Sequence, residues 1–163
     1  MLRGARERYV EIAEGNLGSR QTLARMRTLI RTDDPVVDAA ATAFGHANIV
    51  TVFEWVRAHM LYTPDYNNGI IVEEIKTPGY LLAEIATFGR ALGDCDDYVV
   101  LLGALYVRRR HRVVLVAVAR AMDRLLDHVY LTVDGIAADG IVSDPFGWAV
   151  PASEVTHRET LPL

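Results

Sequence analysis

The sequence predicts an α+β chain in which helices come first and antiparallel strands follow. Three observations carry that expectation. Apolar residues recur at helical spacing from Leu23 to Met60, a nearly all-apolar run fills 98–107, and β-branched or alternating runs begin at residue 113.

In chain order, RYVEIAEG (8–15) reads as a short strand ended by Gly15. Leu23, Met26, Leu29 and Ile30 then trace one face of a helix that Ser19 could cap. Pro35 suits the first position of a second helix, VVDAAATAF, which stops before Gly45. A third spans ANIVTVFEWVRAHMLY, with Ile49, Val52, Phe53, Val56 and Met60 as its apolar stripe. TPDYNNGI (63–70) has loop chemistry. Thr77, Pro78 and Gly89 then supply cap, first turn and terminator of a fourth helix. A fifth, buried on most sides, runs through YVVLLGALYV and ends in RRRHR, a solvated cationic C-terminus or, in a sharper reading, a patch for an acidic partner. VVLVAVA (113–119) is a strand covered on both faces. In the next strand, 126–134, Val129, Leu131 and Val133 oppose His128, Tyr130 and Thr132. Asp134-Gly135 marks a turn, and a third strand over 139–144 ends at Pro145.

No repeat or linker divides the chain, and 163 residues suit a single domain, 1–163, able to bury about 70% of its unfolded surface. A net charge of −4 disfavours nucleic acid as a partner. The charged N-terminus resembles no export signal, and no apolar run approaches the roughly 18 residues of a membrane span. With one cysteine no internal disulfide can form, so a cytoplasmic location is the expectation.

That cysteine, Cys95, lies in GDCDDYVVLLGAL, where the fifth helix begins, rather than within the apolar run that follows. Most lone cysteines are small buried hydrophobes. Unpaired N–H groups at a helix N-terminus, however, lower a thiol's pKa and can hold an oxyanion. Asp94, Asp96 and Asp97 work against a thiolate while suiting the helix start, Asp94 as its cap. A thiol so placed needs a base that becomes a cation. Among histidines 46, 59, 111, 128 and 157, His128 stands out because it projects from the less apolar face of a strand. Asp144, at the end of the following strand, is the favoured carboxylate to orient it, with Asp127 and Asp123 as rivals.

These residues resemble the transglutaminase-like superfamily of papain-like cysteine enzymes. The matching pieces are GDCDDYVVLLGAL, DHVYLTV and SDP, in the order Cys, His, Asp, and the resemblance spans 49–146. It implies a papain-like core in which N-terminal helices pack on a C-terminal antiparallel sheet and Cys95 heads a central helix. It also implies a cysteine-dependent amide or peptide hydrolase or acyl transferase. Cys95 would attack the carbonyl of a protein or peptide substrate, His128 would accept the thiol proton, and Asp144 would orient His128. The resulting thioester would pass to water, the favoured acceptor, or to an amine. Tyr62 is the candidate second oxyanion donor, with Asn67 and Asn68 as alternatives. No metal or cofactor is implied. Unlike many members, the chain carries Trp148 after rather than before the aspartate. The reading from another class is a non-catalytic binding or assembly module, such as a phage-derived structural component, that retains the fold.

Overall fold

Four of the helices begin on a residue whose side chain accepts a backbone N–H of the first turn: Asp34, Asn48, Thr77 and Asp94. These caps define α2 (Pro35–Ala43), α3 (Ile49–His59), α4 (Pro78–Phe88) and α5 (Cys95–Arg108), which follow α1 (Gly15–Arg31). The computed structural model describes residues 6–8, 15–64, 74–122 and 124–163. Pro35 and Pro78 open their helices as the sequence suggests, and Gly89 closes α4 at a φ of 77°.

Among the described residues eight strands accompany the helices: β1 (Arg6–Arg8), β2 (Met60–Tyr62), β3 (Glu74–Lys76), β4 (Ala91–Gly93), β5 (Val113–Ala119), β6 (His128–Val133), β7 (Ile136–Ala138) and β8 (His157–Pro162). The largest sheet has the order β7-β6-β5-β8 and is antiparallel throughout. β2 runs parallel to β4, and β1 pairs antiparallel with β3. Helices first and antiparallel sheet later is the α+β order expected from the sequence.

The core forms around α5, in which every residue from Asp96 to Tyr106 is buried. One face of the large sheet, with Leu115, Ala117, Val129, Leu131 and Val133, joins the helices in the main core. The opposite face, with Val116, Val118 and Tyr130, packs with Val150 in a smaller cluster. Tyr106 is fully buried, its hydroxyl donating to the Ile49 carbonyl at 2.7 Å, and burial pushes its pKa far above the usual phenol range. Among the described residues no helix is long and apolar enough to cross a membrane.

Several elements differ from expectation. Gly15 opens α1 instead of ending a strand, so Ser19 lies inside the helix and not at its cap. Once Met26 and Ile30 are buried, extending a formed helix by a turn costs far less than starting one. α3 stops at His59, and Met60 continues in extended conformation to pair with Ala91, a placement that buries Met60 as well as the expected helix would have. β8 falls in the polar tail. Its alternation is carried by charged and partly exposed residues, including Arg158 and Glu159, with little apolar contrast to signal a strand.

The basic run is not simply solvated. Arg108 donates to Asp38 Oδ1 and to the Thr32 carbonyl, both at 2.6 Å. Arg109 reaches the carbonyls of Ala41, Gly45 and Ala47. The two guanidinium groups therefore tie the end of α5 to both ends of α2 and satisfy carbonyls left open at its C-terminus.

Candidate active site

Cys95 is the first residue of α5 and is partly buried. Ahead of it, Asp94 accepts from the Asp96 N–H at 3.1 Å. The Cys95 Sγ lies 3.7 Å from Asp96 Oδ1, within the long range of a sulfur hydrogen bond. One carboxylate oxygen from each of Asp94 and Asp96 and the Cys95 sulfur lie within 4.8 Å of one another, the only group among the described residues with metal-ligand spacing. Asp97, by contrast, points into the protein and accepts the Lys76 N–H at 2.8 Å, joining α5 to β3.

His128 opens β6 opposite Val118. Its Nε2 lies 2.6 Å from Asp139 Oδ2, and the two side chains are 3% and 2% exposed. The imidazole also lies over Tyr130, with ring centroids 6.1 Å apart and planes inclined by 27°. With Nε2 engaged by the carboxylate, Nδ1 is the nitrogen left to exchange a proton with another group.

Asp139, not Asp144, is thus the carboxylate on His128. The reason is the length of the hairpin turn. Asp134 and Gly135 both have positive φ, 51° and 86°, as a two-residue turn of the mirror-image type requires. The return strand therefore begins at Ile136, with Val133 opposite Ile136 and Leu131 opposite Ala138. Continuing that register sets residue 139 beside Tyr130, on the same side of the sheet as His128 and diagonal to it. The strand expected over 139–144 starts three residues early, and 140–144 leaves the sheet. At Asp144 the backbone carbonyl accepts from Arg57 Nη1 at 2.7 Å, while Arg57 Nη2 takes the Ser143 carbonyl at 3.3 Å. Of the rivals, Asp127 pairs with Arg120 at 3.2 Å, and Asp123 lies outside the described residues.

Cys95 and His128 line one cleft of about 400 Å³. α1 contributes Thr22, Leu23 and Met26 to its wall, and Tyr62 lies at its edge, about half exposed. No hydrogen bond joins the sulfur to the imidazole among the described residues; the sulfur donates instead to Asp96. Asn67 and Asn68, the alternative oxyanion donors, lie outside the described residues. The other histidines belong to other neighbourhoods. His59 bonds the Trp55 carbonyl, His111 bonds Asp134, His157 bonds Glu159, and His46 is exposed.

Asp139 escaped the sequence reading although a signal for it was present. Asp-Gly between alternating apolar runs indicates a two-residue hairpin, and counting the return strand from Ile136 brings Asp139 toward His128. No protein-family model matches the chain, and no curated protein matches it in sequence.

Proposed function

We propose that the chain is a cysteine-dependent amide or peptide hydrolase, or the related acyl transferase, built on a papain-like core of the transglutaminase-like kind. One observation carries the reading: His128, held by the buried Asp139 carboxylate, lines the same cleft that Cys95 enters from a helix N-terminus. A buried carboxylate that fixes one imidazole nitrogen is the arrangement a base histidine needs.

In this mechanism the Cys95 sulfur attacks the substrate carbonyl carbon as its proton passes to His128 Nδ1. Asp139 holds the Nε2 proton and stabilises the imidazolium. The oxyanion faces the N–H of Cys95 at the start of α5, with the Tyr62 hydroxyl as second donor. Collapse of the tetrahedral adduct expels the amine, which takes the proton from His128 and leaves a thioester. Water, or a second amine, gives its proton to His128 while attacking the thioester, and the thiol is restored when that proton returns to sulfur. The sulfur rests beside Asp96, so it must turn toward His128 as substrate enters, a tightening common in unliganded sites.

The binding or assembly module is favoured by one feature, the carboxylates of Asp94 and Asp96 beside the thiol, which disfavour a thiolate. Intact-mass measurement after exposure to glutamine peptides and cell-wall fragments separates the two readings. The enzyme is expected to gain an acyl adduct on Cys95 that decays in water. Cys95→Ser should form none, and Asp139→Asn should slow adduct formation by up to about 10⁴-fold. A Cys95→Ser protein that turns over substrate at the full rate would exclude the enzyme.

A further inference from the structure

We infer that Tyr98 is the positioning residue that sets the His128–Asp139 pair against Cys95, a role that rests on the hydrolase reading above. Tyr98 sits in the first turn of α5 behind Cys95 and is 5% exposed. Two contacts connect it to the other parts of the site. Its hydroxyl donates to the Met60 carbonyl at 2.6 Å, and Met60 opens the strand that brings Tyr62 to the cleft. Its ring lies so close to Gly140 that a Cβ there would fall 2.6 Å from Cδ1 and 3.3 Å from Cε1. Gly140 follows Asp139 directly, so the backbone bearing the carboxylate rests against a ring carried by the nucleophile's own helix. Only a hydrogen fits at position 140, and the distance from α5 to the Asp139 backbone is set by the thickness of the Tyr98 ring. Burial raises the Tyr98 pKa, which keeps the hydroxyl a donor to Met60.

The test is a double-mutant cycle of Gly140→Ala and Tyr98→Val, read as the pH profile of Cys95 alkylation by iodoacetamide. Gly140→Ala forces Asp139 off its resting place. It should lower the alkylation rate at neutral pH at least tenfold and move the profile toward that of a free thiol, near about 8.5. In the Tyr98→Val background the ring is gone, and adding Gly140→Ala should change the profile less than twofold. Equal effects of Gly140→Ala in both backgrounds would overturn the role of Tyr98. Should Tyr98→Val fail to fold, Gly140→Ala alone decides: a folded protein with the wild-type profile overturns the role. The hydrolase reading fails separately, if the wild-type thiol already titrates as a free one and His128→Ala leaves its profile unchanged.

Discussion

The pairing of His128 with Asp139 joins two side chains that water scarcely reaches, at a separation of 2.6 Å. Removing one member of such a pair leaves the other with neither partner nor solvent. His128→Ala is therefore expected to cost about 3–5 kcal/mol of stability. Asp144→Asn alters a carboxylate that does not hold His128, while the backbone bond from Arg57 remains, so its cost should stay within about 0.5 kcal/mol. Urea denaturation of the two variants measures both, and equal losses would contradict the assignment of Asp139. At this scale Cys95 was legible because a capping Asp and an abrupt change from polar to apolar residues mark the helix start. The carboxylate was not, because its position depends on a count of turn residues. A shift of a few positions along a returning strand exchanges one aspartate for another.

The β6–β7 hairpin shows how the elements are held. Its turn residue Asp134 accepts from the Arg112 N–H at 3.0 Å and bonds His111 Nδ1 at 2.8 Å, which ties the turn to the start of β5. The hydrogen bond to His111, and then that from the Arg112 N–H, hold the Asp134 carboxyl below the usual carboxylate range. A depressed folded-state pKa gives stability that is complete above the unfolded value of about 3.9 and is lost as the pH falls through the lower folded value. Asp134→Asn keeps a residue that tolerates positive φ but removes the charge. Its stability deficit against wild type should shrink as the pH drops below about 4, read from thermal unfolding across that range. A deficit that does not vary with pH would contradict the linkage. The helices from α2 to α5 and the strands β5 and β6 were legible because caps, proline positions and periodicity agree there. β2 and β8 were not. Met60 is buried under either assignment, and the exposed alternation of β8 becomes a strand only through pairing with β5.

Across the molecule, α5 is both the centre of the core and the carrier of Cys95, so the packing that stabilises the chain also fixes the thiol. Leu101 is fully buried in that helix, and Leu101→Ala should cost about 2–5 kcal/mol, seen as a lower urea midpoint at unchanged slope. Arg20 grips Glu159 through a bidentate contact as short as 2.7 Å, yet Arg20 is largely exposed. Arg20→Ala should therefore cost little stability, and less at high salt. The α+β order was readable because helical and strand periodicities occupy separate halves of the chain. The cleft was not, because its walls come from α1, β2, the start of α5 and β6, which only folding brings together. The most direct measurement of whether those walls make one catalytic unit is the pH dependence of Cys95 alkylation in wild type and in Asp139→Asn. A thiol coupled to the His128–Asp139 pair should react well below about pH 8.5 in the wild type and lose that advantage in the variant. Identical profiles near 8.5 for both proteins would show that the sulfur and the pair do not act together.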